Sequence, residues 1–230
     1  MCCCFSGKCI LSNYVTNRDA NRGGCAQICR WEFMVDKDKY LTITPKDLNM
    51  VTFIDDMIDI GVNSFKIEGR MRSIYYVATV ILIYRRIIDK ILNNSLTLKD
   101  KTYYLNILNR CANRESTPQF YDKLPGANEQ YFNGRDEASN QDFLGLVLDY
   151  DSSTQIAKIE QRNYFKVGDE VQFFGPNIST ANYRIEKIMD EEHNSIDIAR
   201  HPQMVVYLHV DIPLNYGDMM RLKVYDLKDF

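Results

Sequence analysis

IDDMIDIGVNSFKIEGRMRSIYYVATVILIYRRIIDKIL, residues 54–92, decides the fold class. Upstream, Thr44-Pro45-Lys46-Asp47 reads as a helix start: Thr44 to cap, Pro45 at the first helical position, Asp47 at the positive end of the dipole. Met50, Phe53, Ile54, Met57 and Ile58 recur at helical spacing, and Gly61 suits the stop. VNSFKIE, residues 62–68, then reads as a short strand turning at Gly69. A long helix follows at about residues 75–92, with Val77, Val80, Ile81, Tyr84, Ile88 and Ile91 on one broad apolar face. Helix, strand, turn, helix is the tail of a β/α architecture.

Working outward, residues 97–111 predict another helix, with Thr97 as cap and Asp100 three residues on. Residues 112–141 are rich in Asn, Glu, Gly and Pro and read as a linker. The period then changes. FLGLVLDY, QIAKIEQ, DEVQFFG, YRIEKIM, SIDIAR, MVVYLHVD and MMRLKVYD are short alternating runs separated by turn residues, a pattern that predicts a small closed β-barrel.

The 230 residues are 45% hydrophobic and 26% charged, ordinary globular composition for one large or two small domains. The net charge of -3 offers no global basic field, so any RNA contact must use a local patch. No apolar run reaches membrane-spanning length, and the N-terminus lacks the pattern of a secretion signal. Seven cysteines, an odd number, point to a reducing cytoplasm rather than a disulfide framework.

Four of those cysteines, Cys2, Cys9, Cys25 and Cys29, stand as C-x6-C-x15-C-x3-C, with glycines at 7, 23 and 24. Four thiolates can saturate a tetrahedral zinc or hold a cubane iron–sulfur cluster. Neither half is a C-x2-C zinc knuckle. Reduced, partly buried structural cysteines are the other reading.

The stretch FSGKCILSNYVTNRDANRGGCAQICRW resembles the cysteine segment of the collagenase-like peptidases, peptidase family U-thirty-two. IDIGVNSFKIEGRMRSIYYVATVILIYRRIID resembles that family's last barrel strand and helix, and NRESTPQFYDKLPG the loop that follows. FLGLVLDYDSSTQIAKIEQRNYFKVGDEVQFFGP and DIARHPQM resemble its C-terminal β-barrel. The resemblance implies a partial TIM-like α/β domain at 1–111, a linker at 112–141 and a C-terminal β-barrel at 142–230. Family members carry about two thirds of a TIM-like barrel ahead of the cysteine segment, so a separately encoded N-terminal barrel half is an implied partner. The subgroup most similar to this chain hydroxylates tRNA, making 5-hydroxyuridine at the wobble position with prephenate as co-substrate. The implied cofactor is an iron–sulfur cluster, 4Fe-4S, on Cys2, Cys9, Cys25 and Cys29.

If residues 62–68 form a barrel strand, Glu68 and Arg70 stand at its C-terminal end, the active face of such barrels. Arg70 could then hold a small dicarboxylate such as prephenate by a bidentate pair, with Glu68 beside it. The alternative is a structural Glu–Arg pair at the rim. Arg18, Arg22, Arg30 and Arg70 supply the local cations for RNA. Trp31, the only tryptophan, is expected to be buried as a shield for the cysteines rather than to stack a base. Peptidase chemistry, the family's older label, lacks H-E-x-x-H and G-x-S-x-G here. The non-catalytic alternative is a folded remnant or a binding module.

Overall fold

The computed structural model describes residues 7–69, 72–112, 114–132 and 141–226. The chain forms two compact units, residues 1–61 with 112–138 and residues 62–111 with 139–230.

In the first unit, α1 (Ile10–Thr16) leads through two single-turn 3-10 helices, Ala20–Arg22 and Ile28–Arg30, to a two-stranded hairpin of β1 (Phe33–Asp36) and β2 (Lys39–Leu41). Next come β3 (Thr44–Pro45), β4 (Asp47–Leu48) and α2 (Ile54–Asp59). β5 (Ser116–Thr117) pairs parallel with β4, and β6 (Gln130–Tyr131) pairs antiparallel with β3.

These pairings explain why the helix expected from Thr44 starts only at Ile54. The Thr44 hydroxyl donates to the Cys29 carbonyl at 3.1 Å instead of capping. Pro45, which has no N–H to give a ladder, sits in a two-residue strand opposite Gln130. The helix does stop as read, with Gly61 at φ +90 donating to the Ile58 carbonyl at 2.9 Å.

The expected linker is likewise structured over residues 114–132. Its polar residues satisfy one another and the segment they pair with. Gln119, 5% exposed, donates to the carbonyls of Lys46 at 3.0 Å and Glu129 at 3.4 Å. Lys46 pairs with Glu115, and Arg114 reaches Asp47 at 3.6 Å. A run that looks solvated in one dimension is here a polar network.

The second unit contains no β/α barrel among the described residues. Residues 62–69 form no strand, and Glu68 is exposed. α3 (Ile74–Leu92) begins where the Ser73 hydroxyl accepts from the Tyr76 N–H at 3.2 Å. Its buried stripe is Tyr75, Thr79, Val80, Ile83 and Ile87, rotated from the expected face, and Ile81 is 51% exposed. α4 (Leu98–Ala112) is capped as read: Asp100 Oδ2 accepts from the Thr97 N–H at 2.9 Å, and Thr97 Oγ1 accepts from the Asp100 N–H at 3.1 Å.

The strands β7 (Phe143–Asp151), β8 (Ile156–Gln161), β9 (Phe165–Lys166), β10 (Glu170–Phe174), β11 (Ala181–Arg184) and β12 (Ile188–Met189) follow the alternating runs. So do β13 (Ser195–Ile196), β14 (Ile198–Ala199), β15 (Val205–His209) and β16 (Met219–Leu222). Eight of them form one antiparallel sheet in the order β11-β10-β16-β7-β8-β15-β12-β13, with β9 and β14 paired separately. The two ends, β11 and β13, do not pair with each other, so the sheet is a half-barrel rather than a closed one. It curls around a single core in which Leu144, Val147, Ile159, Phe165, Phe173, Ile188 and Leu208 meet. Each such side chain contributes about 1.5–3 kcal/mol by leaving water. β7 and β8 approach closely at Gly145, where a Cβ would lie 2.5 Å from Ile159 Cγ2.

The two helices belong to this unit. Tyr75 stacks on Phe143 with ring centroids 5.1 Å apart. Arg86 donates to Thr180 Oγ1 at 2.6 Å and to the Ile178 carbonyl at 2.8 Å. Arg110 grips Asp142 through both carboxylate oxygens. Their buried faces find apolar and ionic partners around the sheet.

Candidate functional site

The candidate site is the cysteine segment of the first unit. Cys9 is the N-cap of α1, and its Sγ accepts from the Ser12 N–H at 3.4 Å. Ser12, only 1% exposed, uses its own Oγ to accept from the Ala26 N–H at 3.0 Å. That one hydroxyl ties the helix of Cys9 to the loop of Cys25. Thr16 supports the same junction, donating to the Ser12 carbonyl at 2.9 Å. Gly24 passes so close to Arg18 that a Cβ there would lie 2.7 Å from Arg18 Cβ and 2.9 Å from the Asp19 carbonyl oxygen. Only glycine fits that approach.

Cys25 is exposed, and its Sγ accepts from the Gln27 N–H at 3.3 Å. Cys29 is half-buried on the turn Ile28–Arg30. Its carbonyl accepts from the Ile43 N–H at 3.2 Å and from the Thr44 hydroxyl, which ties this turn to the start of β3. Ile28, 3% exposed, anchors the turn from below.

Cys9, Cys25 and Cys29 are free thiols. The Cys9 and Cys25 sulfurs each accept a backbone N–H group. Thiolate sulfur is the donor type that zinc or an iron–sulfur cluster takes. Among the described residues no three His, Cys, Asp or Glu side chains converge on one point. Cys2 lies outside the described residues. Cys111, by contrast, is buried in the second unit, its thiol pushed up to about 12 by burial, an environment for packing rather than ligation.

The second expected site falls partly outside the described residues. Glu68 is exposed on the extended segment before α3, not at the end of a barrel strand, and Arg70 lies outside the described residues. Gly69 turns the chain, accepting from the Arg72 N–H at 2.9 Å, and a Cβ on it would lie 2.9 Å from Val77 Cγ2. Arg72 lies over the Tyr76 ring at 4.9 Å.

Trp31 departs from the sequence reading in being 46% exposed rather than buried. Ser12 was not legible as a scaffold residue. The signal is a Cys-x-x-Ser at a helix start, meaningful only once Ala26 is seen beside it. The imidazole of His193 packs against Tyr207 with centroids 4.9 Å apart. No described helix is long and apolar enough to cross a membrane.

Comparison with known proteins adds the following. The profile of peptidase family U32 matches residues 1–131, and that of the peptidase family U32 C-terminal domain matches residues 139–221. The chain is similar to tRNA hydroxylation protein P1 of Bacillus subtilis, 42% identical over 234 residues that cover 96% of this chain and 56% of that protein. It is similar to a collagenase of Porphyromonas gingivalis, 32% identical over 83% of this chain and 55% of that protein. The crystal structure of the C-terminal domain of a U32 peptidase from Geobacillus thermoleovorans matches at 48% identity and a TM-score of 0.36, covering 38% of this chain and 98% of that one. The chain thus spans little more than half the length of the curated relatives it matches.

Proposed function

This chain belongs to peptidase family U32, and from that premise we propose that it works in RNA hydroxylation, in the manner named for its Bacillus subtilis relative, rather than in proteolysis. The observation that carries the reading is the 42% identity to a tRNA hydroxylation protein across 96% of this chain. The collagenase relative is less similar, at 32%.

Cys9, Cys25 and Cys29, with Cys2 as the fourth candidate, would hold an iron–sulfur cluster, and the N–H groups of Ser12 and Gln27 would set the electron density on two of its ligands. When bound, such a cluster supplies one-electron redox chemistry. The residues around it supply position. Ser12 fixes the Cys9 helix against the Cys25 loop, and Thr44 and Ile43 fix the Cys29 turn. Prephenate is the proposed co-substrate, with Arg70 as the cation for one of its carboxylates and Glu68 beside it. The polypeptide corresponding to the rest of the relatives' length is the proposed source of the remaining active-site groups.

The test is nucleoside mass spectrometry of tRNA from a strain lacking its own uridine hydroxylases. The strain expresses this chain, alone and together with the remaining portion of the Bacillus subtilis relative. 5-Hydroxyuridine that is present with the native chain and lost with Cys25→Ser supports the reading. Cleavage of a collagen peptide by the same preparation, with no tRNA product in either configuration, overturns it.

A further inference from the structure

Residues 7–31 are a basic island in an acidic chain. They hold Lys8, Arg18, Arg22 and Arg30 against the single acid Asp19, while the whole chain carries a net charge of -3. The three arginines are exposed, Arg22 with 82% of its side chain open to solvent. Two large aromatics are interleaved with them and are also exposed, Tyr14 at 86% and Trp31 at 46%. The backbone of Trp31 is held in the turn that carries Cys29. Its backbone N–H donates to the Ile28 carbonyl at 2.9 Å, Ile28 is buried, and Arg30 beside it donates to Gln27 Oε1 at 2.9 Å. The tryptophan therefore stands at a fixed place two residues beyond Cys29.

Exposing a tryptophan costs the chain the burial its indole would otherwise gain. Exposed aromatics among arginines match single-stranded RNA, whose unpaired bases stack on flat rings while guanidinium groups meet the phosphates. A neutral peptide would not need the cations. From this arrangement we infer that residues 14–31 form the RNA-docking surface, with Trp31 stacking on an unpaired base and Arg18, Arg22 and Arg30 contacting phosphates. This assignment rests on the RNA reading above. It adds where the nucleic acid sits: the stacked base lies beside the cysteine segment, not on the C-terminal sheet.

Because Trp31 is the only tryptophan, its emission reports the contact directly. The purified chain is titrated with a fluorescein-free RNA hairpin bearing a seven-nucleotide loop, and with the fully paired duplex of the same stem. Stacking quenches Trp31 with the hairpin and not with the duplex. In parallel, anisotropy of a labelled hairpin gives affinity: Trp31→Ala weakens binding about 5- to 150-fold, and Trp31→Phe recovers most of it. Removing Arg18, Arg22 and Arg30 together lowers the salt slope by about 2, from roughly 0.7 per phosphate contact on a single strand. Tyr216→Ala, which removes an aromatic 80% exposed in the other unit, leaves binding unchanged. Unchanged affinity in Trp31→Ala with an intact circular-dichroism spectrum overturns the assignment while leaving RNA hydroxylation standing. Failure of the native chain to bind the hairpin also overturns the docking assignment, and quenching by a collagen peptide instead overturns both readings.

Discussion

Asp142→Ala tests the attachment of the helical pair to the sheet. Asp142 stands just before β7 with its side chain 5% exposed, and it accepts from Arg110 Nε and, at 2.7 Å, from an Arg110 terminal nitrogen. The carboxylate holds the Arg110 guanidinium above its ordinary value, chiefly through the hydrogen bonds. Removing one partner of a buried ion pair costs about 3–5 kcal/mol. Arg110 is 35% exposed and recovers water when its partner is removed, so the expected loss is smaller, about 2–3 kcal/mol. For a chain of this size that lowers Tm by about 4–12 °C. The assay is thermal melting by circular dichroism of native protein, Asp142→Ala, Arg110→Ala and the double variant. If the two residues act on each other, the double variant loses less than the two singles added, by about 1–3 kcal/mol. Losses that add to within about 0.5 kcal/mol would refute the coupling, and with it the claim that this pair fastens α4 to the sheet.

Gly145→Ala should destabilise the half-barrel by about 1–3 kcal/mol, because its Cβ would overlap Ile159 on the neighbouring strand; an unchanged melting curve would contradict the close β7–β8 approach. Asp100 is buried, which opposes ionisation, but the hydrogen bonds from Thr97 and Lys90 outweigh this and hold its carboxyl below the usual range. Its contribution is therefore complete above pH of about 3.9 and is lost as pH falls through the folded value. The stability gap between native protein and Asp100→Asn should be open at pH 7 and narrow towards pH 3, and a gap independent of pH would count against the pair. A fragment of residues 62–226 should melt higher than one of residues 141–226, since only the first keeps Tyr75 on Phe143 and Arg86 on the loop at 178–180; equal melting temperatures would deny the helices a role in that unit.

What could be read from the chain follows from how local the cause is. The strands from Phe143 onward were legible because alternation and turn residues are encoded within each run. Closure was not legible, since it depends on whether β11 and β13 meet. α3 and α4 were legible through Ser73, Thr97 and Asp100, which cap within three residues. Their ties to the sheet were not, because Arg86 and Arg110 find partners many residues away. Thr44-Pro45 misled for the same reason: the partner that turns them into a strand is Gln130-Tyr131. Residues 62–68, read as a strand, form none among the described residues. At the candidate site, the cysteines themselves were plain in the sequence. The serine that joins two of their segments, and the exposure of Trp31, emerged only from the fold.

The central claim is that the cysteine segment holds an iron–sulfur cluster, and its most direct measurement is iron and acid-labile sulfide per chain in anaerobically purified protein, native against Cys29→Ser. The account predicts iron and sulfide in equal amounts in the native chain, near four of each for a cubane centre, with broad visible absorption, and loss of all three in the variant. Stoichiometric zinc without sulfide, or iron content indifferent to Cys29→Ser, would contradict it.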